Sequence, residues 1–356
     1  MRIWQFVITG GPCAGKTTAL SVLEQKLTQK GYKVIIVAET ATELITSGIS
    51  PVELENEAFQ SILISRGVNK ETTARKAAEL LNRDTVIFYD RGLLDNKAYM
   101  PQEMFEKVLK TYGLTEVEAR DEYDAVFHLV TAADGAEHAY TLENNKARKD
   151  TLDEARALDK VTRDAWIGHQ HMAVIDNSTD FQDKIDRLLK AVYYIIGLPI
   201  PIENKRRFLV KLPTDEELSK AGKITKTSIM QMYLDSDDPT LERRVRQLGD
   251  GQSFTYYYTE KRDISGTSRA KSGRKISQKE YVSFLMNGKK RVRKDRYCFV
   301  YNNQYFKLDI YPDWTREAIL QIEATSENQN VELPDWVNLI REVTDDPVYK
   351  NKNLAK

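Results

Sequence analysis

The chain has 356 residues, enough for two domains, of which 41% are hydrophobic and 30% charged, a balance that supports buried cores and excludes a disordered chain. Lysine plus arginine and aspartate plus glutamate each number 53, so net charge points to neither a nucleic-acid nor a membrane partner. Two cysteines without ligand-spaced neighbours, Cys13 and Cys298, argue against disulfides or a zinc site and for a reducing compartment. No apolar run approaches a membrane span, and a strand begins almost at once, so the expectation is a cytoplasmic protein without a signal peptide.

The first predicted strand, IWQFVITG at residues 3–10, leads directly into GGPCAGKTT. Gly10, Gly15, Lys16 and Thr17 fit the spacing G-x-x-x-x-G-K-[ST]; Gly11, Pro12, Cys13 and Ala14 fill the loop and Thr18 follows it. Glycines let backbone N–H groups close around phosphate oxygens, and the start of the next helix adds its dipole. Lys16 is expected on the terminal phosphates and the Thr17 hydroxyl on a Mg²⁺ ion, which makes the expected ligand ATP or GTP with Mg²⁺.

A second strand, KVIIVAE at 33–39, ends in Glu39, a candidate base or hydroxyl anchor on the acceptor side of the loop, or else a helix cap. A third, TVIFYDR at 85–91, ends in Asp90 and Arg91. Ligands bind at the carboxyl ends of such strands. Asp90 is therefore a candidate to hold Mg²⁺ or orient an attacking group, and Arg91 to neutralise phosphate charge; a structural ion pair is the alternative. After the fourth strand, AVFHLVTA at 125–132, the stretch NNKARKDTLDEARALDK carries Lys146, Arg148 and Lys149. These are either a lid over the phosphates, with Arg148 the first choice, or a solvated helix face. MAVIDN at 172–177 is the fifth strand, and Asn177, Ser178 and Thr179 follow where a nucleotide base is contacted. His169 and His171 read as packing or surface residues. Strands alternating with helical stretches predict a parallel α/β sheet, assigned to a first domain at 1–198.

Two prolines and a glycine in IIGLPIPIEN mark a boundary, and a second domain is assigned to 199–356. RRFLVKL, SIMQMYL, ERRVRQL, SFTYYYTEKR, RYCFVY and QYFKLDIY, with turn signals GDGQ and YNNQ, predict an antiparallel sheet or barrel. Strand alternation places Glu203, Lys205 and Arg207 on one side and Glu242, Arg244 and Arg246 on one side. Lys261, Arg269, Lys271 and Arg293 add charge, and residues 269–296 hold eleven lysines or arginines against Glu280 and Asp295. Converging cations suit a polyphosphate or a phosphoinositide head group. No nucleic-acid recognition motif accompanies them, so a nucleic-acid partner is not expected.

The first half resembles AAA-type ATPases related to nucleoside and nucleotide kinases, a group also similar to nicotinamide riboside kinase. The resemblance rests on TGGPCAGKTT, VAETATELI, FYDRGLLD, LDEARALDKVTRDAWIGHQH and VIDNSTDFQDKI. It implies ATP or GTP with Mg²⁺ and leaves the phosphate acceptor open. The second half resembles a CYTH domain, the family of adenylate cyclases and of thiamine or inorganic triphosphatases built on a tunnel-like barrel. It does so through IENKRRFLVKLP, ERRVRQ, YYYTEKRDISGTSRAKSGRKISQKEY and LPDWVNLIREVTDDPVYKNKNLA. Together the halves resemble ATPase-plus-CYTH proteins of the TRPL translocation defect type, which implies GTP and phosphoinositide binding and peripheral membrane contact.

The chain departs from the CYTH pattern in its acids. The opening E-x-E-x-K reads Glu203, Lys205, Arg207; a later acidic pair is Lys271 and Gly273; Lys307 precedes Asp309; and Thr325 follows Glu323. Metal-dependent hydrolysis needs carboxylates to hold the cation, so anion binding is favoured there over hydrolysis. The expectation is a P-loop NTPase or small-molecule phosphotransferase joined to an anion-binding domain. The alternatives are a nucleotide-switched phosphoinositide binder with little turnover, or a CYTH triphosphatase.

Overall fold

The structure is a computed structural model that describes residues 1–140, 151–198, 205–265, 268–286, 288–324 and 329–356. The chain divides into two compact units, Met1–Leu189 and Lys190–Lys356.

Strands β1 (Ile3–Thr9), β2 (Lys33–Val37), β3 (Thr85–Asp90), β4 (Ala125–Leu129) and β5 (Met172–Ile175) build the first unit. They pair in the order β2-β3-β1-β4-β5, all parallel. A parallel sheet covered on both faces needs continuous apolar strands rather than alternating ones. Phe6, Val7 and Ile8 of β1 and every residue of β4 are accordingly buried. The helices are α1 (Lys16–Gln29), α2 (Thr40–Thr46), α3 (Asn56–Leu81), α4 (Gln102–Thr111), α5 (Glu116–Arg120), α6 (Leu152–Asp164) and the first part of α7 (Phe181–Ile196), whose residues from Lys190 on are counted in the second unit.

All five predicted strands are present, and each stops short of its expected end. Gly10, Glu39, Arg91, Ala132 and Asn177 leave the ladder at the carboxyl edge of the sheet. Gly10 and Arg91 do so through left-handed backbone, with φ of 144° and 68°. Glu39 and Arg91 are thus released from the pleat, while Asp90 is the last residue of β3.

The second unit is antiparallel throughout: β6 (Lys205–Lys211), β7 (Thr225–Leu234), β8 (Leu241–Gly249), β9 (Phe254–Ser265), β10 (Ser268–Ile276), β11 (Gly288–Tyr301), β12 (Gln304–Ile310), β13 (Glu317–Glu323) and β14 (Leu339–Glu342). Their order is β10-β9-β8-β7-β11-β12-β13-β6-β14, and among the described residues no pairing joins β10 to β14. Short helices α8 (Asp215–Ser219), α9 (Gln278–Leu285) and α10 (Asn351–Leu354) flank it. Asn302 and Asn303, with φ of 44° and 55°, turn β11 into β12, as a two-residue hairpin with positive φ at both positions requires.

Alternation along these strands separates two environments. Phe208, Val210, Phe306, Leu308, Leu320 and Ile322 pack into one apolar cluster with Phe299 and Trp336. The intervening positions, Arg207, Lys307, Asp309, Gln321 and Glu323, occupy the opposite face.

Candidate functional site

Between β1 and α1 the chain forms a loop that a side chain at Gly10 would obstruct, since its Cβ would run into the Leu129 carbonyl. Gly15 precedes α1 with φ 86°, no side chain caps that helix, and its first turn contains no acid. The positive end of the helix dipole is thus left for an anion. Lys16 is buried and its Nζ donates to the carbonyls of Gly10 and Gly11 at 3.3 and 3.4 Å. Thr17 and Thr18 are exposed. A carboxylate braces the loop from behind. Asp159 of α6 accepts from the Gly11 N–H at 2.6 Å and the Thr131 N–H at 3.1 Å, and its other oxygen lies 3.1 Å from His128 Nε2. Burial opposes ionisation of Asp159, yet His128 and these hydrogen bonds keep its pKa below the usual value. A capping box between Thr151 and Glu154 starts α6 and fixes the helix that carries it.

Residues at the ends of β2 and β3 line a cavity of about 340 Å³. Arg91 Nε donates to Glu39 Oε1 at 2.6 Å, and Arg91 Nη1 lies 3.7 Å from Asp95 Oδ1. Asp95 also accepts from the Gly92 N–H at 2.7 Å and from the Thr9 hydroxyl. Burial works against the charge on Glu39, but Arg91, then Lys16, then a hydrogen bond from Thr42 bring its pKa down to about 2. Asp90 is raised by burial, against the pull of Lys16, and its buried Oδ1 has no hydrogen-bond partner. Deeper in the cavity lining, burial lifts Glu71 to about 7 despite a 2.9 Å hydrogen bond from the Tyr123 hydroxyl. Phe59, Leu63, Ile45 and Pro51 supply apolar wall.

In the second unit the polar face centres on Asp309, which is fully buried. It accepts from Lys294 Nζ at 2.6 Å, from Arg296 Nε and Nη2 at 2.7 and 2.9 Å, and from Gln321 Nε2. Burial opposes its charge, but Arg296 and Lys294 hold it ionised. Glu323 lies 3.4 Å from Lys307 Nζ and 3.7 Å from Lys205 Nζ. Arg246 has no carboxylate within ion-pair distance among the described residues. Burial, then Arg244 and Arg296, lower its pKa to about 9. Its Nη2 reaches Thr259 Oγ1 at 3.4 Å, its guanidinium lies over Tyr257, and the buried Nε atoms of Arg244 and Arg246 lack partners.

A family model described as an AAA domain matches residues 5–184, half of the chain. The chain belongs to this AAA domain family. No curated protein matches it significantly. Among solved structures, an inorganic triphosphatase is 27% identical over 45% of this chain and 96% of its own, with a TM-score of 0.33. A protein from Pyrococcus horikoshii OT3 is 16% identical over 34% of this chain and 80% of its own, with a TM-score of 0.25.

Within the AAA domain, Lys16, Glu39, Asp90 and Arg91 come together: the Glu39 and Asp90 carboxyls both feel the Lys16 charge. Asn177 instead braces the sheet edge, donating to the carbonyls of Thr131 and Asp134 at 2.8 and 2.7 Å and accepting from buried Lys184 at 2.7 Å. The hydroxyls of Ser178 and Thr179 contact Asp176 and the Asp180 carbonyl. Lys146, Arg148, Lys149, Glu203 and Thr325 lie outside the described residues, as do the side chains of Arg269 and Lys271. In the second unit Arg207, Arg244 and Arg246 share the polar face, and Lys261 pairs in register with Glu242. Arg293 is exposed, whereas its neighbours Lys294 and Arg296 turn inward.

Sequence reasoning missed Asp159, Asp95, Lys294 and Arg296. The parity of β11 held the signal for the last two: Val292 is the apolar residue in phase with Lys294 and Arg296, and Arg293 is out of phase. Nothing in sequence spacing places Asp159 against Gly11. Among the described residues no helix is long and apolar enough to cross a membrane.

Proposed function

We propose that the first unit transfers the γ-phosphoryl group of ATP or GTP to a hydroxyl of a small molecule held in the cavity, and that the second unit binds a polyphosphorylated anion. The observation that carries the first part is the Glu39–Arg91 pair at 2.6 Å in a cavity lining that also includes Asp90, within electrostatic reach of the phosphate-loop lysine. Arg91 fixes the Glu39 carboxylate, which stays ionised and accepts a hydrogen bond from the acceptor hydroxyl. The acceptor oxygen forms a bond to the γ-phosphorus, its proton passes to Glu39, and the bond to the β,γ-bridging oxygen breaks to release the nucleoside diphosphate. Phosphoryl transfer demands positioning and charge stabilisation more than a strong base, so a carboxylate with a low pKa suffices. Lys16 stabilises charge on the transferred group, and Arg148 is assigned the lid role.

The donor set fits Mg²⁺. The Thr17 hydroxyl is exposed at the start of α1, and Asp90 presents a buried oxygen without a partner. No group of three or more His, Cys, Asp or Glu residues that could cage a metal occurs among the described residues, and Mg²⁺ characteristically uses one or two protein oxygens together with phosphates and water. When bound, the ion neutralises charge on the β- and γ-phosphates. The loop around Ser178 and Thr179 is assigned to the base.

For the second unit, saturation of its acids supports binding without metal-dependent hydrolysis. Asp309 is taken up by Lys294 and Arg296, and Glu323 lies beside Lys205 and Lys307. Tripolyphosphate and inositol polyphosphates are the probes. A rise in melting temperature that persists in chelator supports this reading, and brisk phosphate release dependent on added metal contradicts it. Incubation of the full chain with γ-labelled ATP and Mg²⁺, with a panel of hydroxylated acceptors, tests the kinase reading by transfer of label.

A further inference from the structure

Phe181 opens α7 and lays its ring on the phosphate loop. A Cβ at Gly15 would lie 2.6 Å from Phe181 Cε2 and 3.0 Å from Cζ, so the missing side chain of Gly15 is what admits the ring. Gly15 immediately precedes Lys16 and α1, which puts the ring beside the anion site at the start of that helix. Its position is fixed from both sides. Asp180 Oδ1 accepts from the Asp183 N–H at 2.8 Å at the start of α7. Lys184, one turn along, donates to the carbonyls of Val130 and Ala14 at 2.7 and 3.4 Å and to Asn177 Oδ1 at 2.7 Å. Even so, Phe181 remains 47% exposed, and Thr17 and Thr18 at the start of α1 are exposed as well. An open aromatic surface therefore flanks the phosphate loop.

The polar side chains between β5 and α7 have their hydrogens committed elsewhere. Asn177 Nδ2 donates to the carbonyls of Thr131 and Asp134 at 2.8 and 2.7 Å. The Ser178 hydroxyl donates to Asp176 Oδ1 at 2.6 Å. The Thr179 hydroxyl donates to the Asp180 carbonyl at 3.4 Å and accepts from Arg187 Nη2 at 3.1 Å. Adenine and guanine differ in the hydrogen-bonding groups on one ring edge, and strong discrimination between them needs placed polar partners. Stacking needs none, because every base has a π-face. We propose that the base of the donor nucleotide stacks on Phe181, and that the site accepts adenine and guanine alike. The inference rests on the reading of the phosphate loop as a nucleotide site and deepens it by naming the residue that holds the base. Ser178 and Thr179 shape the loop that presents the ring, and do not read the base edge.

The experiment is calorimetric titration of the full chain with the β,γ-imido analogues of ATP and GTP in Mg²⁺. A parallel titration of Lys16→Ala identifies the signal that belongs to the phosphate loop. The variants are Phe181→Ala, Phe181→Leu and Phe181→Trp, and the melting temperature without ligand reports their folding. The two analogues should bind the parent chain with Kd values within about tenfold of each other, since no placed polar partner separates them. Phe181→Ala should weaken both by about tenfold, the scale of one base stacked on an aromatic ring. Phe181→Trp should restore the affinity and show indole fluorescence quenched by either analogue, whereas Phe181→Leu, which keeps apolar bulk without a π-face, should not. Unchanged affinity in folded Phe181→Ala, full restoration by leucine, or a larger preference for one purine overturns the inference and leaves the nucleotide site standing. If Phe181→Ala fails to fold, unquenched fluorescence in Phe181→Trp at saturating analogue overturns it in the same way. Absence of binding by either analogue to the parent chain overturns the nucleotide reading and this inference with it.

Discussion

The cavity of the first unit and the polar face of the second are built from the same charged residue types in opposite proportion. Glu39, Asp90, Asp95 and Glu71 line the cavity around Arg91, whereas Arg207, Arg244, Arg246, Lys294, Arg296 and Lys307 share the other face with Asp309 and Glu323. Equal totals of 53 acidic and 53 basic residues conceal both. Net charge describes solubility and long-range steering; ligand preference depends on which charges are left unmatched inside. In the cavity the cation is matched and acids are in excess. On the sheet face the acids are matched, and among the described residues Arg207 and Arg246 are cations with no carboxylate within ion-pair distance.

The largest way to break the contrast is to remove the cation at the phosphate loop. Lys16→Ala should lower phosphoryl transfer by about a thousandfold, on the order of 4 kcal/mol, a loss typical of an uncompensated charged contact to a transferring phosphate. Calorimetry should show weakened triphosphate binding in the same variant, and unchanged affinity would remove the loop from the account. Next in size, Glu39→Gln alters the acid-rich side alone. It should cut kcat by about a hundredfold, or roughly 3 kcal/mol, with little change in the KM for ATP, because positioned proton acceptors contribute on this scale. A steady-state comparison in which kcat is unchanged would reduce the Glu39–Arg91 pair to a structural contact.

Glu71 supplies a pH test of the same cavity. Its folded pKa, about 7, stands above the ordinary carboxylate value because of burial. The protonated form is therefore favoured by folding, so stability is unpenalised below the ordinary value and falls as pH rises toward 7. The full loss is on the order of 3 kcal/mol. Glu71→Gln should gain stability relative to the parent between pH 5 and pH 8, as measured by denaturant melts at both; a pH-independent difference contradicts the burial argument. The smallest effect belongs to the sheet face. A polyphosphate at a hundred times its Kd adds about 2.7 kcal/mol, and Arg244→Ala combined with Arg246→Ala should abolish that stabilisation while the shift produced by ATP with Mg²⁺ persists. No shift in the parent chain at low salt would return these arginines to ordinary packing.

How far the sequence made this legible depends on whether its signal is local. The phosphate loop is local: strand, glycine spacing and helix occur in order, so its residues could be read directly. Continuous apolar runs likewise revealed the five parallel strands. Glu39, Asp90 and Arg91 were readable as strand ends, but their pairing was not, since it depends on β2 and β3 lying side by side and on Arg91 taking left-handed backbone. Asp159 was beyond reach because its contact with Gly11 spans 148 residues. In the second unit a single slip of phase hid Lys294 and Arg296 behind Arg293. Alternation gives two faces, and neighbouring cations offer no apolar contrast to say which one points inward.

Transfer of labelled γ-phosphate by the full chain, in Mg²⁺ and with a panel of hydroxylated small molecules as acceptors, tests the central claim most directly. The account predicts label in a phosphorylated acceptor, with formation of one nucleoside diphosphate for each product molecule and loss of both in Lys16→Ala. Label that appears only as inorganic phosphate, at a rate indifferent to every acceptor, would contradict it.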